Sequence, residues 1–446
     1  MLTIKFRLFN LRRASSCGLF IVCCGSAWAA DPVWLELAPG NRVLARTVAS
    51  AACPSITLDG KVFAMTPRLA ADSPGKATPP NQRLVCETEV TGAGAVAING
   101  IALRMPPKNP QRIVVLGDTG CRIKVESDAA PATDADQDDA KGKVQDCNDK
   151  KLWPFEAVAA AAAVSKPDLV IHVGDYIYRE SPCPIDSSGD CGGSPNGDKW
   201  ATWDADFFKP ARPLLEAAPW IFVRGNHEIC KRAGKGWYYY LSPGAYTSND
   251  QCTDQAAPFA VKLGDFQAWV LDSSSAPDAG PTAAQVGQFT SIFQQGISAN
   301  LSHAWLVSHR PVWAAKAGTK GDRGELRTLN ETLQKAWAAA PMAGVDFIVA
   351  GHTHLFELLS FKQPLPPQAV IGNGGTDLAH QIKAKLAGQT IGTATVANGD
   401  TVDDFGYALI EPRGKGDGWS LKLHDSKGNK TLTCTIAKGA TNCGSK

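Results

Sequence analysis

Five apolar runs in this chain each stop at a residue able to bind a metal ion, and that repetition constrains the fold more than any other feature. Ile113-Val114-Val115-Leu116 leads into Gly117-Asp118, Leu169-Val170-Ile171-His172-Val173 into Gly174-Asp175, and Trp220-Ile221-Phe222-Val223 towards Gly225-Asn226. Ala304-Trp305-Leu306-Val307 precedes Ser308-His309, and Val345-Asp346-Phe347-Ile348-Val349-Ala350 precedes Gly351-His352. Short β-branched and aromatic runs bounded by glycine read as strands. Helical patterns at 153–165, 205–216, 282–298 and 327–340, with further strand-like runs at 258–263, 267–272, 368–372, 405–411 and 419–424, give the alternation of a layered α/β fold. In such folds the loops at the carboxyl ends of the strands converge on one crevice, so donors far apart in sequence can meet.

The flanks read differently. Residues 30–109 alternate short apolar runs with Gly and Pro and suggest a small N-terminal β-rich module, without a cluster of ligands or nucleophiles. Residues 110–412 carry the layered pattern, and 413–446 read as a C-terminal strand extension packed on it. Two inserts interrupt the pattern. Residues 126–149, rich in Asp, Ala and Lys, suggest a solvated loop, and residues 181–199, rich in Gly, Ser, Pro and Cys, follow a strand end closely enough to border the crevice.

Residues 1–29 have the form of a secretory signal, with basic Lys5, Arg7, Arg12 and Arg13, an apolar stretch from Gly18 to Cys24, and Ala27-Trp28-Ala29 as cleavage site. That apolar stretch is too short to span a bilayer. The 45 basic and 43 acidic residues nearly balance, and loss of the four leading basic groups tips the remainder slightly acidic. Charge therefore gives no case for a nucleic-acid or membrane-surface partner. A periplasmic or secreted protein is expected.

Of 13 cysteines, ten lie beyond the signal. An even number in an oxidising compartment favours disulfides, and no CxxC pair suggests a metal site. Pairing in sequence order would close five short loops, 53–86, 121–147, 183–191, 230–252 and 434–443, although sequence alone leaves the connectivity open.

The strand ends read Gly117-Asp118-Thr119-Gly120, Gly174-Asp175-Tyr176-Ile177-Tyr178, Gly225-Asn226-His227-Glu228, Ser308-His309-Arg310-Pro311 and Gly351-His352-Thr353-His354. Their donors are carboxylates, an amide oxygen, imidazoles and a phenol, with no thiolate, which suits Fe, Mn or Zn. Taken singly, each has a plainer reading. Asp118 or Asp175 serves as a helix cap, Asn226-His227 as a turn beside Gly225, and His352 with His354 as a surface pair. Taken together, they describe a two-metal site. A bridging carboxylate lets two cations sit about 3.5–4 Å apart, activating water on one side and polarising a phosphoryl oxygen on the other.

In order and content, these five motifs resemble the calcineurin-like metallophosphoesterase superfamily, and within it the purple acid phosphatases. Gly120 stands where calcineurin-type relatives carry the histidine of D-x-H, and Tyr178 enters the second motif. The resemblance covers roughly residues 111–412 and implies a layered β-sandwich flanked by helices. It also implies that Asp118, Asp175, Tyr178 and His354 hold Fe(III), while Asp175, Asn226, His309 and His352 hold a divalent Fe, Zn or Mn, with Asp175 bridging. A phenolate matches a hard trivalent cation, and its charge transfer would colour the protein.

His227 is left without a ligand role and resembles the outer-sphere histidine that contacts the phosphate and protonates the leaving oxygen, a task suited to an imidazole. Glu228 would orient His227 or nearby loop atoms. The implied reaction is hydrolysis of a small phosphate monoester by metal-bound hydroxide, with Asp175 and His227 catalytic and no obligate protein partner. Alternatives are a phosphodiesterase or nucleotide hydrolase with the same centre, and a non-catalytic exported binding protein that keeps the scaffold.

Some features depart from the pattern. Beyond His309, where many purple acid phosphatases place another substrate histidine, this chain has Lys316-Ala317-Gly318-Thr319-Lys320 and then Arg323. Ser308 lacks the Gly-x-Ser-x-Gly elbow of a nucleophile. Trp200, Trp203 and Phe207 fit either an aromatic rim or the core. Asn373-Gly374-Gly375-Thr376 is expected to pack behind the metal loops.

Overall fold

A computed structural model describes residues 31–69, 82–125, 142–248, 251–317, 326–414, 416–437 and 439–445. The leader at 1–29, residues 126–141 of the acidic insert, and Lys320 and Arg323 lie outside the described residues.

Among the described residues two large sheets dominate, one of eleven strands and one of eight. At the centre of the first, Ile113–Leu116, Leu169–His172, Trp220–Phe222 and Val33–Ala38 lie side by side in parallel. The second is built on parallel Phe266–Val270, Ala304–Val307, Val345–Ala350 and Gln368–Ile371. Side chains alternate across a strand, so each of these runs has two apolar faces to bury. Ile113, Val115, Leu169, Ile171, Trp305, Val307, Phe347 and Val349 fill the space between the sheets. Val114, Leu116 and Val170 face outward against the helix Phe155–Val164 and the helical stretch Trp200–Leu215. Leu306 and Ile348 face outward on the other side, against the helices Ala283–Ser298 and Glu331–Ala339. The result is a layered β-sandwich flanked by helices. Each large apolar side chain in these layers contributes about 1.5–3 kcal/mol on burial.

The helix Ala283–Ser298 starts where Thr282 accepts the Gln285 backbone N–H at 3.3 Å, as a capping box requires. At 327–340 the sequence pattern suggests one helix, but Leu326–Leu329 is a strand paired antiparallel with Ala314–Ala317. The helix begins only at Glu331, capped by Asn330, whose side chain accepts the Leu333 N–H at 3.0 Å. Strand pairing overrides the local helical preference of those residues.

The segment before residue 110 is β-rich, and part of it belongs to the large sheet. Val33–Ala38 pairs parallel with Trp220–Phe222 through Glu36 and Trp220, and Arg42–Ala49 and Leu84–Glu89 continue the sheet outward. Buried Arg46 is hydrogen-bonded to Glu36 and to the Tyr240 and Ser242 carbonyls. Arg68, whose backbone N–H donates to the Val85 carbonyl, reaches the Tyr239, Ser242 and Gly244 carbonyls, so two guanidinium groups tie this β-rich segment to the segment after residue 234.

Five disulfides join Cys53–Cys86, Cys121–Cys147, Cys183–Cys191, Cys230–Cys252 and Cys434–Cys443, which is the sequence-order pairing. The described end of the first insert is not a solvated loop. Lys143–Val144 pairs with Ile123–Lys124, and buried Gln145 accepts the Arg122 N–H and donates to the Leu152 and Gly375 carbonyls. Trp203 and Phe207 are core residues, with Trp200 packed against the same cluster. Among the described residues, no helix is long and apolar enough to cross a membrane.

Candidate metal centre

The five strand ends meet at the carboxyl edges of both sheets. Asp118, Asp175 and His352 hold left-handed backbone conformations, with φ of 56°, 60° and 76°. Such conformations cost about 1–3 kcal/mol each in non-glycine residues and persist where the surroundings enforce them, commonly at functional sites. Neighbouring glycines allow the close packing. A Cβ on Gly351 would lie 2.5 Å from Asp118 Oδ2, and one on Gly225 would collide with Asp175 Oδ1. Behind this layer, the Asn373–Thr376 segment pins the Asp118 loop, because Gly374 N–H donates to the Gly117 carbonyl at 3.0 Å and Thr376 N–H to the Asp118 carbonyl at 2.9 Å.

The donors fall into two groups that share one oxygen. Asp175 Oδ1 accepts the His227 backbone N–H at 2.9 Å. Its Oδ2 accepts from the Tyr178 hydroxyl at 2.8 Å and lies 3.2 Å from His309 Nε2. On the tyrosine side, the hydroxyl is also 3.1 Å from Asp118 Oδ1 and 2.9 Å from His354 Nε2. On the other side, Asn226 Oδ1 lies 2.9 Å from His309 Nε2 and 3.0 Å from His352 Nδ1. Ligand atoms of Asp118, Asp175 and His354, and of Asp175, His309 and His352, lie within 4.8 Å of one another in each set. Every sequence-derived metal candidate (Asp118, Asp175, Tyr178, Asn226, His309, His352 and His354) therefore sits in this cluster.

The donor chemistry fits cations. His309 Nδ1 donates to the Val173 carbonyl at 2.8 Å and His354 Nδ1 to the Asp377 carbonyl at 2.9 Å, so in both rings Nε2 is the nitrogen that faces the cluster and would offer its lone pair to a cation that displaces any proton there. Burial and the Asp175 carboxylate push Asp118 well above its usual range, and burial with the same two carboxylates raises the Tyr178 phenol. Burial lowers His309, but Asp175 and Asp118 outweigh it and push the imidazole up to about 9. Buried negative charge here takes up protons as its counter-charge, and a cation would supply the same compensation.

Around this cluster stand groups that the sequence pattern only partly revealed. His227 is buried, its ring 3.8 Å from the Tyr178 ring between centroids, with Nε2 3.9 Å from Asp175 Oδ2. Its Nδ1 lies 2.6 Å from Glu180 Oε1, and Glu180 in turn meets Arg232 at 3.3 Å and Lys124 at 3.6 Å. Glu180 belongs to no recognisable motif, and its place after Tyr178 was the only signal. Glu228 orients loop atoms and not the His227 ring, accepting the backbone N–H groups of Asp175, Tyr176, Ile177 and Gly225 at 2.8–3.1 Å.

His172 closes the back of the centre. It accepts the Gly174 N–H at its Nδ1, which leaves its Nε2–H to donate to Thr119 Oγ1 at 3.0 Å. Ser308 is buried, and its hydroxyl donates to the Arg310 carbonyl at 2.9 Å, so it is spent as a structural group. Lys316, on the strand Ala314–Ala317, is near enough for its charge to help depress the His354 pKa, after burial and Arg122.

The calcineurin-like phosphoesterase family model matches residues 111–356, and the chain belongs to that family. Its fold is similar to that of the purple acid phosphatase PPD1 from yellow lupin (Lupinus luteus) seeds, at 15% identity and a TM-score of 0.54, over 89% of this chain and 72% of that one. PhoD shares the fold at 11% identity and a TM-score of 0.55, over 93% of this chain and 91% of that one. No curated protein sequence matches the chain.

Proposed function

We propose that the chain is an exported phosphomonoesterase of the purple acid phosphatase type, holding two ions, Fe(III) with a divalent Fe, Zn or Mn. The observation that carries the reading is the position of Asp175 Oδ2, within 3.2 Å of donors from both groups. Asp118, Asp175, Tyr178 and His354 would hold one ion, and Asp175, Asn226, His309 and His352 the other. When bound, such ions lower the pKa of water and neutralise charge on a phosphoryl group.

The chain's own residues supply the rest. Asp175 fixes the spacing, because its Oδ1 is tied to the His227 backbone and only Oδ2 faces both groups. The Val173 and Asp377 carbonyls hold the two Nε2 atoms as lone-pair donors. His227 would hold a proton on Nε2 near the leaving oxygen of the ester, with the Glu180 carboxylate 2.6 Å from Nδ1 as its counter-charge. Five disulfides support export, since such bonds persist in oxidising compartments.

The test is hydrolysis of matched mono- and diesters by the purified chain, joined to visible spectroscopy. Faster monoester cleavage and a charge-transfer band that Tyr178→Phe abolishes are expected. Diester preference, or two colourless divalent ions, would overturn the purple monoesterase assignment.

A further inference from the structure

Asp278 stands in the loop between the strand Phe266–Val270 and the helix Ala283–Ser298, outside all five motifs. Its carboxylate is buried and built into a fixed frame. Arg310 Nη1 donates to Oδ2 at 2.8 Å, and Asn330 Nδ2 donates to Oδ1 at 2.7 Å. Asn330 is itself anchored, since its Oδ1 caps the helix Glu331–Ala339. The remaining reach of Asp278 Oδ2 is toward His352 Nε2, 2.9 Å away, while His352 Nδ1 faces Asn226 Oδ1 at 3.0 Å.

We infer that Asp278 is a positioning residue that sets the tautomer and ring plane of His352, so that Nδ1 presents its lone pair to a cation beside Asn226 and His309. The inference rests on the metal-centre reading proposed above. A carboxylate oxygen at hydrogen-bond distance from an imidazole nitrogen requires the N–H on that nitrogen, because two lone pairs would repel. Arg310 Nη1 also lies 3.0 Å from His352 Nε2. It competes as a donor to that nitrogen, but such an arrangement would aim the Nε2 lone pair at the Asp278 carboxylate. With the N–H on Nε2, imidazole and guanidinium both donate to Asp278 Oδ2, and no two donors or two lone pairs face each other there. A carboxylate behind a metal-binding histidine fixes orientation and raises the ligand's basicity, and its loss lowers metal affinity by about 10–100-fold.

Asp278→Asn keeps the shape but turns one acceptor into a donor and removes the charge. Whichever way the amide settles, its NH₂ faces a group that already donates, Arg310 and His352 on one side or Asn330 on the other, so the frame that holds the proton on His352 Nε2 is broken. Titration of the metal-free chain with Zn²⁺ or Mn²⁺ against a competing chelator, with melting curves to verify folding, reads the effect. The expected result is that one of two ions binds about 10–100-fold more weakly while the other is unchanged. In a His352→Ala background, Asp278→Asn should add no further loss, as residues acting through one another are not additive. Unchanged affinity for both ions, equal weakening of both, or a full additional loss without His352 would overturn the inference and leave the centre standing. A parent chain that binds fewer than two ions would overturn both.

Discussion

Glu180 Oε1 stands 2.6 Å from Nδ1 of His227, at the far end of the ring from Asp175. Burial, then Arg232, lowers the His227 pKa, while Asp175 and Glu180 work to raise it. A proton donor needs that support. His227→Ala should reduce turnover by about 10²–10⁴-fold with metal content unchanged. Glu180→Gln should reduce it less and move the alkaline limb of the kcat profile to lower pH. Metal analysis alongside the pH profile checks both, and parallel loss of metal would make the pair structural.

Glu228 satisfies four backbone N–H groups, three on the Asp175 loop and that of Gly225 on its own loop. Truncation to Ala strands those donors in a buried place, where each costs roughly 1–3 kcal/mol. Glu228→Ala should therefore lower stability by at least about 3 kcal/mol and reduce metal occupancy with it. Denaturant melts and metal analysis on the same preparation read both quantities. Loss of activity at full stability would contradict this scaffold role.

Glu357 lies in the strand after the last metal motif, wholly buried, its carboxylate accepting the Ala315 N–H at 3.3 Å. Burial pushes its carboxyl up to about 8 despite that hydrogen bond. Between the ordinary carboxyl range and about 8 the folded chain binds the extra proton and the unfolded chain does not. The resulting stability is fully present at low pH and is lost as pH rises through that window, at no more than about 1.4 kcal/mol per pH unit. Glu357→Gln should flatten this dependence and raise the melting temperature at pH 8 more than at pH 5. A variant whose melting temperature tracks the parent's at both pH values would contradict it.

The motifs were legible because each is local. A strand, a glycine and a ligand occur within a few residues, and the alternation of Ile113, Val114, Val115 and Leu116 between two cores follows from strand geometry. The partners behind the motifs were not legible. Asp278 lies 74 residues from His352 with no marker around it, and Glu180 reads like any acidic loop residue. Glu228 was visible, but spacing could not tell a ring partner from an acceptor of four backbone amides. Nor could composition show that Val33–Ala38 extends the large sheet, since parallel pairing with Trp220–Phe222 leaves no local trace.

The most direct test of the account counts metal ions on the purified chain and on Asp175→Ala, each verified as folded by its melting curve. Two equivalents are predicted for the parent, with tight binding of both lost in the variant because one oxygen serves both groups. A parent that holds one ion or none, or a variant that still binds two tightly, would contradict the claim that Asp175 joins two cation sites.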